Sequence, residues 1–297
     1  MCGICGELRF DAKSPDLAVI ERMSEQLARR GPDHAGTFAD GPLAFGHRRL
    51  AIIDLSASAD QPMVDTTLQL ALVFNGTIYN YRELRTELIA LGYAFFSDGD
   101  SEVILKAYHA WGEECVQRFY GMFAFAIWNI RGGRRASLFL ARDRFGIKPL
   151  YLTQDGHRLR FASSLPALLA GGGVDTRLDP VALHHHFMLH TVVPATRTIL
   201  TGVRKLPPAS TMTVSIDGLV TQKVYWTLDA TRPAEPLSEA QWLAKTRDVL
   251  VRALDRHRLA ADVPVGVLLS GGLDSSLLVG LLADHVDDLL TFPPVPI

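Results

Sequence analysis

The sequence predicts an α+β protein in which strands are stacked between helical layers, followed by the opening of a parallel α/β region. Three observations carry this. Apolar residues recur at helical spacing in 16–29, where Leu17, Ile20, Met23 and Leu27 share a face, and in 82–91, where Leu84, Leu88 and Leu91 do. The runs LQLALVFN, MFAFAIW, SLFLARD and RLRFAS read as strands, separated by GG and DG turns. Near the end the apolar strand VPVGVLL runs straight into SGGLDSSLLVGLLADH, a strand, glycine loop and helix of the nucleotide-binding kind.

The remaining elements fall into place around these. After Ser101 a helix presents Ile104, Ala107, Tyr108 and Trp111, and with the first two helices it supplies the layers that cover the strands. A second region opens near LPPASTMTV, and after the proline-containing TRPAEPL comes an amphipathic helix over 239–258 with Leu243, Leu250 and Leu254. The sequence thus divides into domains at 2–205 and 206–297. The second region offers two candidate parallel strands and one crossover helix before LLTFPPVPI, whose prolines do not suit a central strand.

Bulk composition narrows the function classes. A chain of 297 residues has room for about two domains. Hydrophobic residues make up 48%, charged residues 21%, and the formal net charge is −2, so no nucleic-acid partner is expected. No stretch approaches the roughly 18 uninterrupted apolar residues of a membrane span, and no apolar leader opens the chain. The expected compartment is the cytoplasm. Three cysteines, Cys2, Cys5 and Cys115, imply no disulfide framework.

Cys2 and Cys5 form a C-x-x-C in the opening MCGICG, which admits three readings: half a metal site, a dithiol, or a nucleophile. A zinc site wants four ligands and no second C-x-x-C exists; His184, His185 and His186 are adjacent, and consecutive helical residues do not face one ion. No metal is expected. A redox dithiol follows a strand and opens a helix, whereas CGICGELRF runs into a strand. Once the initiator Met is removed, Cys2 carries both a thiol and a free α-amine, with a reference pKa near 8, that can take its proton. Cys5 is then a small buried hydrophobe.

The segments MCGICG, RRGPDHAG (29–36), GHRRLAIIDL (46–55), QPM (61–63), FNGTIYNYRELR (74–85), SDGDSEVIL (97–105), GMFAFAIW (121–128), ARDRFGIKPLY (141–151), TIL with GVRKLPP (198–208) and VGVLLSGGLDSS (265–276) follow one another in a familiar order. Together they closely resemble the class II glutamine amidotransferases, specifically the asparagine synthetase family. The resemblance implies an N-terminal nucleophile αββα sandwich followed by the incomplete start of an ATP-pyrophosphatase domain. It implies hydrolysis of glutamine at Cys2, with a thioester intermediate, and transfer of the ammonia to an ATP-activated carboxylate, aspartate by default. It makes the Asn75 side chain and the Gly76 amide the oxyanion donors. Arg49 would clasp the glutamine α-carboxylate and Asp100 its α-ammonium, with Leu50, Ala51, Ile52, Ile53 and Thr77 lining the same pocket. Read plainly, Arg49 is also a surface salt bridge, Asp100 a helix cap and Asn75 a turn residue after LVF.

SGGLDSS is no Walker loop, since the G-x-x-x-x-G-K-[ST] spacing is absent. By resemblance it is a pyrophosphate loop, in which Leu269, Ser270, Gly271, Gly272, Asp274, Ser275 and Ser276 meet ATP with its magnesium. Two residues depart from the family: Thr77 stands where relatives commonly carry glutamate, and Ser164 in FASS replaces a common glutamate. The chain ends soon after this loop where relatives continue, which reads as a truncation with only the glutaminase half intact. Partners are small molecules: glutamine, ATP and the acceptor. The acceptor and the oligomeric state stay open, with N-acetylglutaminylglutamine amidotransferase as the alternative ligase. A C-x-x-C metal or redox module and a nonfunctional fragment are the alternatives of other classes.

Overall fold

The structure is a computed structural model that describes residues 1–130, 136–232, 235–284, 286 and 288–293. The chain forms two compact units, Met1–Thr227 and Leu228–Ile297. In the first, the strands in chain order are β1 (Gly3–Arg9), β2 (His34–Asp40), β3 (Leu43–Arg49), β4 (Met63–Asp65), β5 (Leu70–Ile78), β6 (Gly121–Asn129), β7 (Ser137–Arg142), β8 (Tyr151–Gln154), β9 (Arg158–Ala162), β10 (Arg204–Lys205), β11 (Ser210–Ser215) and β12 (Val220–Val224). The helices are α1 (Leu17–Glu25), α2 (Tyr81–Ala90), α3 (Asp100–Trp111), α4 (Cys115–Arg118), α5 (Leu165–Ala170) and α6 (Pro180–Met188). The strands make two antiparallel sheets of six, in the orders β10-β8-β9-β1-β3-β2 and β12-β11-β7-β6-β5-β4.

Period-two alternation sorts each strand between two cores. On β5, Ala71 and Val73 face the space between the sheets, while Leu70, Leu72 and Phe74 face the helices on the outer side. On β6 the same division gives Ala124, Ala126 and Trp128 inward and Phe123, Phe125 and Ile127 outward. Ile4 and Leu8 of β1 and Phe45 of β3 close the inter-sheet core from the other sheet. A third cluster packs Ile20 and Met23 of α1 and Leu168 of α5 against Cys5, Ala44 and Ala162. Helices outside, two sheets inside: this is the αββα sandwich that the sequence predicts.

The first unit ends at Thr227 and not at 205, because β11 pairs with β7 and β12 with β11, so both strands complete the second sheet. Asp16 caps α1 by accepting the Ala18 N–H at 3.0 Å, which starts that helix where its apolar period begins. The GG turn expected at Gly132 and Gly133 lies outside the described residues. So do residues 294–297 of the terminal proline run.

The second unit holds α7 (Glu239–Leu259), β13 (Gly266–Leu268), α8 (Leu273–Ala283) and β14 (Leu290–Phe292). A capping box between Ser238 and Gln241 opens α7. β13 and β14 pair in parallel with α8 as the crossover. Among the described residues no helix is long and apolar enough to cross a membrane.

Candidate active site

Cys2 and Cys5 part company at β1. Cys5 Sγ is fully buried under α1, where it is 3.6 Å from the Gly46 carbonyl oxygen, and burial pushes its thiol up to about 12. Cys2, three residues earlier on an extended chain, points the other way. Its sulfur accepts the Leu50 N–H at 3.4 Å at the end of the pocket. A dithiol is thereby ruled out by strand parity. Among the described residues no three His, Cys, Asp or Glu side chains cluster as metal ligands. Burial pushes the Cys2 thiol up from its ordinary value, with the Leu50 bond and the nearby amino group acting against it, so at neutral pH it needs a base. Met1 precedes it, and burial pushes the Met1 amine down.

The cavity beside Cys2 has a volume of about 150 Å³. Arg49, Leu50, Ile52, Ile53, Asn75, Gly76, Thr77 and Asp100 all stand in its wall, although they come from segments far apart in the chain. Ala51 does not: its N–H turns to Asp33 Oδ2 at 2.8 Å and holds the loop after β3 in place. Asn75 continues the inward set of Ala71 and Val73 on β5. It is 1% exposed, and neither atom of its side-chain amide has a hydrogen-bond partner. A buried primary amide with no partner is costly, about 1–3 kcal/mol, and is expected where a ligand completes it. Gly76 follows because a Cβ there would sit 2.2 Å from the Met122 carbonyl oxygen.

Arg49 is 6% exposed, so it is no surface salt bridge. Its Nη1 donates to Asp60 Oδ1 at 2.6 Å and to the Ser56 carbonyl at 2.9 Å, and Nη2 donates to the Asp54 carbonyl. Its fork is thus held by the 53–60 loop here, rather than open to a carboxylate. Asp100 is the first residue of α3, whose N-cap is Gly99, and its Oδ2 accepts the Ile78 N–H at 2.9 Å. It ties the helix to β5 and does not cap it.

Ala59, Gln61, Phe74, Ser101, Met122 and Lys148 also line the pocket and were not singled out from the sequence. Lys148 is 4% exposed, and burial together with the Arg30 charge pulls its ammonium down, while Cys2 and Asp143 act the other way. Arg30 Nε also donates to the Cys2 carbonyl at 3.1 Å. Both cations sit in the matched segments RRGPDHAG and ARDRFGIKPLY, so the signal was present in residue type.

In the second unit, Gly271 has φ +78 and a Cβ there would meet nothing within 4 Å, so the loop between β13 and α8 is open. Ser270 and Ser275 hydroxyls lie 3.1 Å apart, Ser275 also donates to the Gly272 carbonyl at 3.1 Å, and Asp274 lies in the first turn of α8. An open glycine at a helix start, flanked by hydroxyls, suits a phosphate chain. The single carboxylate is too little to hold magnesium without further ligands.

Comparison with known proteins agrees with this picture. Residues 1–226 match the glutamine amidotransferase domain model, and 245–293 match the asparagine synthase model. Asparagine synthetase [glutamine-hydrolyzing] 3 of Bacillus subtilis is 35% identical over 97% of this chain and 46% of its own length. Asparagine synthetase [glutamine-hydrolyzing] 1 of the same organism is 38% identical over 98% and 45%. Amidase chry2 of Gibberella zeae is 34% identical over 95% and 43%. The chain therefore spans about half the length of these curated relatives. The structure of glutamine phosphoribosylpyrophosphate amidotransferase from B. subtilis superposes with a TM-score of 0.57 over 98% of this chain and 65% of that one, at 16% identity, which shows a shared fold. With the family model covering residues 1–226 and the αββα sandwich beneath it, the chain belongs to the glutamine amidotransferase family, in the company of the glutamine-hydrolysing asparagine synthetases.

Proposed function

We propose that this chain hydrolyses glutamine to glutamate and ammonia at Cys2. The observation that carries the reading is the buried, unpartnered Asn75 amide in the same cavity as Cys2, Arg49 and Asp100. Removal of Met1 frees the Cys2 α-amine, which takes the thiol proton as sulfur attacks the side-chain amide carbon. The oxyanion then meets the Asn75 side chain and the Gly76 N–H. As the C–N bond breaks, the proton leaves on ammonia and a thioester remains. Water attacks that carbonyl and releases glutamate and the thiol. Asp100 receives the α-ammonium of glutamine and Arg49 the α-carboxylate, which displaces part of the guanidinium's present hold on Asp60 and the loop.

We further propose that the ammonia serves an amide ligase working in the cytoplasm, with aspartate as acceptor following the names of the two Bacillus relatives. Leu269, Ser270, Gly271, Gly272, Asp274, Ser275 and Ser276 would face the phosphates of ATP, which with magnesium supplies activation of the acceptor carboxylate. Ammonia release from glutamine by the purified protein, with the mature N-terminus verified by mass spectrometry, tests the glutaminase. Release that persists in Cys2→Ala would overturn it.

A further inference from the structure

We infer that Gln61 is a positioning residue that sets the spacing between the two arms of the glutamine pocket, the Asn75–Gly76 arm and the Asp100 arm. This rests on the reading of that pocket as the glutamine site. β4 covers β5 only as far as Leu72, through the pairs Asp65↔Leu70, Val64↔Ala71 and Met63↔Leu72. Beyond it, side chains take over the edge of β5. Gln61, 5% exposed, accepts the Phe74 N–H on Oε1 at 2.6 Å. The Phe74 carbonyl oxygen lies 3.1 Å from His47 Nε2. Burial pulls the His47 imidazole down to about 3, so the ring is neutral and the contact requires its Nε2–H to donate. Phe74, the residue before Asn75, is thus pinned at both its N–H and its C=O, while the Asn75 side-chain amide is left available.

The other end of the same Gln61 amide reaches α3. Nε2 donates to Ser101 Oγ at 3.0 Å, one residue after Asp100. A planar amide with its acceptor on one arm and its donor on the other fixes their separation. α3 has no side-chain cap at Gly99, so this bond and that of Asp100 with Ile78 hold its start against β5. Glutamine must meet the oxyanion donors and the ammonium anchor at once. An error of about 1 Å in such a spacing costs about 100-fold in rate.

The test measures kcat and KM for ammonia release, the thermal midpoint, and the rate of Cys2 alkylation by iodoacetamide, which engages neither charged anchor. Gln61→Met, which loses both bonds, is expected to lower kcat by about 10-fold or more and to raise KM. Gln61→Glu keeps an acceptor for Phe74 and recovers most of kcat. Ser101→Ala, which cuts only the Asp100 arm, acts chiefly on KM, raising it by about 5-fold for one lost hydrogen bond. Alkylation rates stay within about 2-fold throughout, a readout that general loosening would move. Unchanged kcat and KM in Gln61→Met, or losses that track alkylation and thermal midpoint, would overturn the inference while the glutaminase reading stands. Should Gln61→Met not fold, Ser101→Ala decides: a raised KM supports the inference and an unchanged one overturns it. A parent protein that releases no ammonia overturns both.

Discussion

The two units use apolar residues in opposite ways. In residues 1–227 the strands divide their side chains between an inter-sheet core and two helix-covered faces, and large residues such as Phe45, Phe125 and Trp128 are fully buried. In residues 228–297, α8 is apolar on nearly every side, yet only Leu281 and Leu282 are buried along it, while Leu273 is 85% exposed and Leu268 on β13 is 76% exposed. A helix apolar all round is written for cover on all sides, and a parallel strand for cover on both faces. The first unit supplies its own cover and so can hold a polar site in a dry wall. The second presents its Gly271–Gly272 loop on a frame of two described strands.

Experiments that sharpen this contrast begin with the largest effect. Cys2→Ala should cut ammonia release by about 10,000-fold or more, since the nucleophile has no substitute. Asn75→Ala should lower kcat by about 100- to 1,000-fold, as loss of one oxyanion donor does, with little change in thermal midpoint because its amide holds no internal bond. Both are read by steady-state glutaminase kinetics, and wild-type rates in either would break the claim that the first unit carries chemistry.

Acid sensitivity comes next. His47 is buried neutral with its pKa pulled from 6.5 to about 3, so the unfolded chain binds the extra proton first as pH falls. Its contribution is complete above pH 6.5, declines as pH falls, and is spent near pH 3, a span worth at most about 5 kcal/mol. Urea unfolding at stepped pH should show that slope, and His47→Gln should flatten it.

Thr77→Glu supplies the carboxylate that the family resemblance implies at this position. Placed in the wall with Asp100, it should lower KM for glutamine by about 3- to 10-fold, the effect of about 1 kcal/mol, with kcat little moved. The smallest effect is expected from ending the chain after Thr227. Glutaminase kcat and KM should hold within about 2-fold, because the pocket and both sheets lie before that point. A collapse of activity would show that the first unit leans on the second.

What the sequence made legible followed from two kinds of regularity. Continuous apolar runs bounded by turns located β5, β6 and β7, which are buried on both faces, and helical spacing located α3 and α7. The motif order brought Cys2, Arg49, Asn75 and Asp100 to one place, where the structure also finds them. Periodicity says nothing about what a buried polar side chain touches, and this is where the reading fell short. Arg49 read equally as a surface pair until its burial against Asp60 was seen. Gln61 sat inside a quoted segment, but its two partners lie 13 and 40 residues away. The first unit's boundary also slipped, because LPPASTMTV looks like the start of a new region until its strand is seen to pair with β7.

The alternation of β5 has a consequence for how this chain can change over generations. Substitutions along the strand alter one layer at a time. A single inserted or deleted residue between Leu70 and Phe74 would exchange every position beyond it, sending Asn75 into the helical layer and turning Phe74 toward the space between the sheets. Descent can therefore revise the pocket letter by letter, while this strand keeps its length.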